Sequence, residues 1–533
     1  MESESRQTAA RQGAHRAGMN DLDHDACYRA LCVRDARFDG RFFVAVRTTG
    51  IYCRPICPAR TPHSENIIFY PTAAAAQEAG FRPCLRCRPE TAPDLGAWRG
   101  ASNTVSRALS LIEMGALDEA NVEALAGRVG IGERQLRRLF YQHLGASPIA
   151  VAQTRRVLLA KQLIHETHLP MTEIALAAGF GSLRRFNETF QSLFRRPPTA
   201  LRRSSGADIS AGVRGEVSLL LRYRPPYDWA AMLDFLSARA IPGVESIAGG
   251  VYRRTIGLEG LQGTLTVRPA AGNALNATIR FPKLSSLPKI IARLRRVFDL
   301  AADPDAIAAQ LAKDPVLAPL VAARPGLRVP GAWDGFELAM RAVLGQQITV
   351  PGAIRLAGKL VAVYGEPLRD ADPVLTHVFP EPAALAGADL SALGMPRSRA
   401  ATLSAVAAAV AADPHIFAAG RGLEEAVAQL SALPGVGEWT AQYIAMRQLR
   451  EPDAFPAADI GLMRAMAGAD GMRPSAAALL ARAEPWRPWR AYAAQHLWQA
   501  PARAPGEASA PRRSRRRVDA PAAGASISRS LTA

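Results

Sequence analysis

The chain has 533 residues, 49% of them apolar, with a formal net charge of +18 and a pI of about 10.3. At roughly 150 residues per domain this gives three or four domains with ordinary cores, and the positive balance calls for an anionic polymer, nucleic acid before membrane. All six cysteines fall in the first 90 residues, which excludes a chain-wide disulfide framework. The polar start MESESRQTAARQGAHRAG is not a secretory signal, and no run of about 18 apolar residues offers a membrane span, so a cytoplasmic protein is expected.

Residues 1–20 are polar and read as disordered. Residues 21–90 hold every cysteine. In TTGIYCRPICPAR (48–60), Cys53 and Cys57 form a Cys-x3-Cys pair beside Arg47, Arg54 and Arg60; in GFRPCLRCRPE, Cys84 and Cys87 form a Cys-x2-Cys pair. Two such chelating pairs close a tetrahedron around one soft cation, and zinc is the usual choice. Cationic neighbours and a bound metal both favour thiolate, so the sulfurs that hold the ion can also attack an electrophile. Cys27 and Cys32 read as core cysteines on a helix.

The stretch DACYRALCVRDARFDGRFFVAVRTTGIYCRPICPAR, continued by ENIIFYPTAAAAQEAGFRPCLRCRPE, closely resembles the N-terminal zinc domain of the Ada family of alkylation-response proteins. The resemblance covers nearly all of 21–90. It implies one zinc ion on Cys53, Cys57, Cys84 and Cys87, with Cys53 as acceptor of a methyl group from a DNA methylphosphotriester. A cluster of thiolates repels phosphate; the triester is neutral, and methylation of one sulfur removes a negative charge, so DNA affinity should then rise. The alternative is a structural zinc module that only binds DNA.

Residues 91–102 contain helix breakers and read as a linker. Residues 103–203 are helical in pattern and carry 14 Lys/Arg against 8 Asp/Glu. Within NVEALAGRVGIGERQLRRLFYQHLG, the apolar set Val122, Leu125, Ala126 and Val129 is followed by a Gly130-Ile131-Gly132 turn and then by Leu136, Leu139 and Phe140 at helical spacing. MTEIALAAGFGSLRRFNETFQSLFRRPP repeats the plan: Ile174, Ala175 and Ala178, a Gly179-Phe180-Gly181 turn, Ser182 as N-cap, and Leu183, Phe186, Phe190 and Leu193 toward the core. A helix-turn-helix places the start of its second helix in a major groove, which makes Arg134, Arg137, Arg138, Arg184 and Arg185 the candidate DNA contacts. The pair resembles the AraC-type tandem helix-turn-helix domain, which follows the zinc domain in Ada proteins.

Residues 204–215 read as a second linker. Residues 216–325 open with strand-like alternation, including GTLTVRP and NATIRF, and predict an antiparallel sheet. Residues 326–500 are mostly Ala-rich helix. There SALPGVGEWTAQYIAMRQL has the form of a helix-hairpin-helix: Gly435 and Gly437 permit a tight turn and close backbone approach to phosphate, with helix N–H groups facing the anion. Downstream, Asp459 in PDAFPAADIGLMRAM is either a capping residue or a carboxylate poised to stabilise a sugar cation. The tail 501–533, with PRRSRRRVD, reads as disordered and attracted to phosphates.

Residues 219–500 closely resemble AlkA-like 3-methyladenine DNA glycosylases of the helix-hairpin-helix superfamily, through RYRPPYDWAAMLDFLSARA, RPGLRVPGAWDGFELAMRAVLGQQ, LGMPRSRA, LPGVGEWTAQYIAMR and EPWRPWRAYAAQHLW. The resemblance implies Asp459 as the catalytic carboxylate and Phe235, Trp439, Tyr443 and Trp498 as the aromatic base pocket; Trp489 reads as core. It also implies Gln347 as the residue inserted into the DNA stack. Bifunctional relatives carry a nucleophilic lysine where Trp439 stands, so base removal without strand cleavage is implied. No PCHR-type cysteine occurs, so the second methyltransferase of full-length Ada proteins is absent.

The expected architecture is multidomain, mainly α with α+β. It comprises a small zinc α/β domain, an all-α tandem helix-turn-helix, then an antiparallel-sheet subdomain and a helix-hairpin-helix glycosylase fold. The expected function is removal of alkylated bases from double-stranded DNA, joined to methyl acceptance and transcriptional regulation. Zinc is the one cofactor, and promoter DNA and RNA polymerase are further partners of a nucleoid-associated monomer of bacterial type. The rival readings are a regulator whose glycosylase half only binds DNA, and a repair enzyme whose N-terminal half only docks.

Overall fold

The helix His24–Cys32 starts where the Asp23 carboxylate accepts the Asp25 N–H at 3.0 Å. The structure, a computed structural model, describes residues 23–93, 103–202, 216–370, 372–418, 422–468 and 470–500. The segments 1–20, 204–215 and 501–533, and nearly all of the linker 91–102, lie outside the described residues. Cys27, Ala30 and Leu31 of the helix His24–Cys32 face a small core with Phe42 and Phe69. Cys32, expected in that core, is exposed: it follows the buried pair Ala30–Leu31 as the last helical residue and turns off the apolar stripe.

Four short strands, β1 (Phe43–Val46), β2 (Ile51–Cys53), β3 (Ile67–Tyr70) and β4 (Arg82–Pro83), form a sheet in the order β3-β1-β2-β4. β1 is antiparallel to both neighbours, and β4 joins β2 in parallel. This brings the end of β2, with Cys53, beside the end of β4, with Cys84 next in sequence. The helix Ala73–Glu78 completes the α/β unit and anchors it to the next domain: Ser147 Oγ donates to Glu78 Oε1 at 2.8 Å and Thr72 Oγ1 to the Leu144 carbonyl at 2.7 Å.

Two helix-turn-helix units follow, Val122–Arg128 with Glu133–Leu144 and Met171–Ala177 with Leu183–Phe194. Gly179 has φ +88°, and a Cβ there would lie 2.5 Å from the Asp118 carboxylate, so this turn admits only glycine. Ser182 caps the last helix by accepting the Arg185 N–H. Its core stripe is Phe186, Phe190 and Phe194. Leu183 was expected on that stripe but is 40% exposed; as the first helical residue, its side chain leans off the helix N-terminus. Leu193 is half-buried.

The helix Pro148–Glu166 joins the two units and touches every neighbouring domain. Lys161 Nζ donates to Glu90 Oε2 at 2.8 Å and to the Cys84 carbonyl at 2.9 Å. Glu166 accepts from Arg88 Nη2 at 3.2 Å and from the Leu220 N–H at 3.0 Å, while Gln162 Nε2 donates to the Leu220 carbonyl at 2.9 Å.

Leu220 lies on β5 (Glu216–Arg222), the edge of a five-stranded antiparallel sheet with β6 (Glu245–Ala248), β7 (Val251–Leu258), β8 (Leu261–Ala270) and β9 (Ala274–Arg280), ordered β5-β9-β8-β7-β6. Gln162 and Glu166 thus pair with backbone groups that an edge strand would leave open. β5 alternates strictly, Val217, Leu219 and Leu221 inward. These pack in one apolar cluster with Val157, Phe186 and Phe190, so the second helix-turn-helix unit and the sheet share a core. The helical remainder contains Gly335–Leu344, Arg397–Ala412, the hairpin pair Leu423–Ser431 and Glu438–Ile444, Ile460–Ala465 and Arg490–Trp498. Trp489 is buried, edge-on to Tyr492.

Candidate functional site

The Sγ atoms of Cys53, Cys57, Cys84 and Cys87 all lie within 4.8 Å of one another. A tetrahedral zinc with Zn–S near 2.3 Å sets its sulfurs about 3.8 Å apart, so these four positions fit one ion. Cys57, Cys84 and Cys87 are buried residues and Cys53 is partly exposed. Backbone N–H groups support the sulfurs: Arg54 N–H points at Cys87 Sγ and Arg86 N–H at Cys84 Sγ, each at 3.3 Å. The side chain of Arg54 is fixed by Asp39, with Nε donating to Oδ1 at 2.8 Å, and by the Cys87 carbonyl and Thr91 hydroxyl at 3.1 and 2.6 Å. Asp39 continues into the C-terminal half, since Arg224 Nη2 donates to its carbonyl at 2.9 Å. Outer contacts of this kind fix ligand orientation.

The second site is built on the hairpin. Gly435 has φ +74°, and a Cβ there would lie 2.1 Å from Thr402 Oγ1 and 2.9 Å from Thr402 Cβ. Gly437 has ordinary extended φ and open space around it, and it precedes the helix that carries Trp439 and Tyr443. Asp459 caps the helix Ile460–Ala465 by accepting the Leu462 N–H at 2.9 Å. Its carboxylate also meets two indoles: Trp498 Nε1 donates to Oδ1 at 2.9 Å and Trp439 Nε1 to Oδ2 at 3.0 Å. One side chain therefore both caps a helix and accepts from two indoles.

Trp439 and Tyr443 are stacked, 5.3 Å between centroids at 8°, and Tyr443 meets Trp498 edge-on at 6.5 Å. Phe235 is set apart: it is buried, with the guanidiniums of Arg239 and Arg447 at 3.9 and 4.8 Å from its ring centre, and Arg447 stands between it and Tyr443. Arg447 Nη1 donates to the Tyr443 hydroxyl at 2.6 Å and its other nitrogens to the carbonyls of Pro330 and Gly331. Burial pushes the Tyr443 phenol up, but Arg447 and Arg239 outweigh it and the net shift is downward; burial likewise pulls Arg447 down. The motifs did not reveal Arg447 or Arg239; spacing alone, four residues from Tyr443 and from Phe235, was their only signal.

Gln347 is exposed at φ +57°, at a loop tip that also exposes Ile348 and Val350. The preceding Gln346, not singled out by sequence, ties this loop to the hairpin: its Nε2 donates to the Gly435 carbonyl at 3.1 Å and to Thr440 Oγ1 at 3.2 Å. Arg134, Arg138 and Arg185 are exposed; Arg137 is half-buried and pairs with Glu133, and Arg184 is exposed and pairs with Glu188 at 2.7 Å. A cavity of about 1420 Å³ lies between the helix Asn103–Glu113 and the C-terminal half, lined by Arg107, Trp333 and Phe417 among others, and none of the residues around Asp459 line it.

Four family models match in sequence: the metal binding domain of Ada over 26–90, a helix-turn-helix domain over 125–204, the AlkA N-terminal domain over 218–334, and the HhH-GPD superfamily of base excision DNA repair proteins over 340–491. The chain is 44% identical over 478 residues to the "Probable bifunctional transcriptional activator/DNA repair enzyme AlkA" of Mycobacterium tuberculosis, covering 89% of this chain and 96% of that one. It is 36% identical to DNA-3-methyladenine glycosylase 2 of Escherichia coli, over 54% of this chain and 99% of that one. It is 38% identical to the bifunctional transcriptional activator/DNA repair enzyme Ada of E. coli, over 30% of this chain and 43% of that one. With a zinc-binding four-cysteine domain, a helix-turn-helix segment and a glycosylase fold in this order, matched nearly end to end by such a relative, the chain belongs to the bifunctional Ada–AlkA family of transcriptional activator/DNA repair proteins.

Proposed function

We propose that the C-terminal half is a monofunctional DNA glycosylase. It hydrolyses the N-glycosidic bond of alkylated bases of the 3-methyladenine type in duplex DNA. The observation that carries this reading is the Asp459 carboxylate held against Trp439 and Trp498 at the mouth of the hairpin. A purine alkylated on a ring nitrogen is cationic; it leaves the sugar readily and, once flipped from the helix, stacks well on aromatic faces. Asp459 supplies fixed negative charge where the sugar turns cationic. Trp439 stands where a lyase needs an amine, so no Schiff base forms. The Gly435–Gly437 turn grips the strand, Gln347 fills the gap left by the flipped nucleotide, and Arg134, Arg137, Arg138, Arg184 and Arg185 face the DNA from the helix-turn-helix units. A half that merely bound DNA would have no use for two indoles on one carboxylate.

For the N-terminal half we propose methyl acceptance on Cys53 coupled to promoter binding by a monomer, with RNA polymerase as partner. Bound zinc would keep the cysteine sulfurs as thiolates at neutral pH. Cys53 Sγ, on the partly exposed residue of the four, attacks the methyl carbon of a methylphosphotriester; the S–C bond forms, the C–O bond breaks, and the phosphodiester leaves with the electron pair as an anion. The resulting thioether carries no charge, so the cluster repels DNA less and affinity rises.

Both readings are tested on one substrate, duplex DNA treated with a methylating agent, by counting purines released and methyl groups retained on the protein. Asp459→Asn should abolish only the release and Cys53→Ala only the retention. Base release by Asp459→Asn at the native rate would refute the first assignment, and methyl retention by Cys53→Ala the second.

A further inference from the structure

The three donors on Asp459 come from three separate elements, and they divide unequally between its oxygens. Oδ1 accepts from the Leu462 N–H and from Trp498 Nε1, both at 2.9 Å; among the described residues, Oδ2 accepts only from Trp439 Nε1, at 3.0 Å. A carboxylate oxygen has two good acceptor positions. Oδ1 is therefore filled and Oδ2 keeps one open. Trp439 is further committed, lying parallel to Tyr443 at 5.3 Å. Gly461 completes the arrangement: a Cβ there would lie 2.9 Å from Asp459 Oδ1 and 3.3 Å from Trp498 Cδ1, so only glycine lets the indole reach the carboxylate.

We propose that Trp439 and Trp498 are positioning residues that clamp the Asp459 carboxylate through their indole N–H groups, so that the free position of Oδ2 is the one presented to the substrate. The inference rests on the reading of Asp459 as the catalytic carboxylate. Hydrogen bonds to an ionised acceptor are strong and directional. Three of them, from three separate helices, hold the negative charge in place. The step follows. The C1′–N bond breaks with its electron pair passing to the cationic base, which leaves neutral. C1′ gains positive charge opposite Oδ2. Water adds its oxygen to C1′ and gives one proton to the open position of Oδ2, from which it passes to solvent.

Phenylalanine retains the aromatic face and deletes the N–H, so Trp439→Phe and Trp498→Phe separate clamping from stacking. The full-length variants are tested on methylated duplex DNA by single-turnover excision at saturating protein, and separately by affinity for duplex DNA containing an abasic site. Loss of a hydrogen bond to a charged group corresponds to a fall of about 10- to 150-fold in excision rate, and affinity should stay within about threefold. The double variant should approach Asp459→Asn, because the same carboxylate is being released. Gly461→Ala, which keeps both indoles but pushes Trp498 from Oδ1, should lower the rate in the same way and serves if a Phe variant folds poorly. Native excision rates in the Phe variants, or equal losses of rate and affinity, would overturn the clamp. Native excision by Asp459→Asn would instead overturn the reading beneath it.

Discussion

Lys161 and Glu90 form a salt bridge at 2.8 Å with both side chains fully buried. One lies on the helix that joins the two helix-turn-helix units, the other three residues after the last cysteine ligand. Burial pulls the Lys161 ammonium down, and Glu90 opposes that pull. Lys161 also donates to the Cys84 carbonyl, so one side chain reaches both the cysteine cluster and Glu90 from the helix-turn-helix segment.

Glu90 also accepts from Arg88 Nε at 3.0 Å, so removing Lys161 leaves the carboxylate with one partner and costs less than the about 3–5 kcal/mol of a fully stranded buried charge. Lys161→Met should therefore lower the first thermal transition of the protein, and adding Glu90→Gln should recover only part of the loss, because Arg88 then keeps Glu166 alone as its partner. Calorimetry of the single and double variants checks this; an additive double variant would mean that the two residues act independently.

The two hairpin glycines should respond differently. Gly435 combines φ +74° with Thr402 Cβ at 2.9 Å from any added Cβ, whereas Gly437 has open space. A non-glycine residue in the left-handed region costs about 1–3 kcal/mol before any clash. Gly435→Ala should lower the melting temperature and Gly437→Ala should not. If the turn meets the DNA backbone as proposed, Gly437→Ala should still weaken binding to abasic-site DNA, as measured by fluorescence anisotropy.

These contrasts mark how far the sequence could be read. The cysteine pairs were legible because metal geometry imposes spacing on the chain itself. The helix-turn-helix cores were legible because one face of a helix repeats in sequence, as at Phe186 and Phe190; Leu183 broke the pattern because a helix end has no next turn to cover it. Asp459 showed two competing signals; the structure shows the cap, with two indoles on the same carboxylate. What stayed hidden was polar and long-range: Arg447 between Phe235 and Tyr443, Lys161 beside Glu90, and Gln346 reaching the Gly435 carbonyl join residues far apart in the chain, and no periodicity encodes such meetings.

Glu451 is buried, and burial raises its carboxyl to about 7; Arg107 opposes the shift while Glu424 and Asp453 add to it. A carboxyl raised above its unfolded value favours the native state fully below the unfolded pKa. That favour is lost as pH rises through the native pKa, because the native state then gives up a proton the unfolded state has already lost. The window is about pH 4.5 to 7, and the swing is on the order of 3 kcal/mol. Glu451→Gln should thus raise the melting temperature at pH 8 and change it little at pH 4.5. An equal effect at both pH values would show that the group does not titrate in this window.

Metal removal should separate the two halves of the molecule. The zinc domain touches the C-terminal half through Arg41 and Asp303, at 2.9 Å, and through Arg224 and the Asp39 carbonyl, also at 2.9 Å. These contacts lie on different elements from Asp459, Trp439 and Trp498. Binding energy at a four-thiolate site is largely folding energy of the small domain around it. A strong chelator should therefore abolish methyl uptake and the lowest thermal transition together, while excision of alkylated purines continues at close to its native rate. Excision that fell in step with methyl uptake would instead show that the Arg41–Asp303 and Arg224–Asp39 contacts carry the state of the cysteine cluster into the glycosylase half.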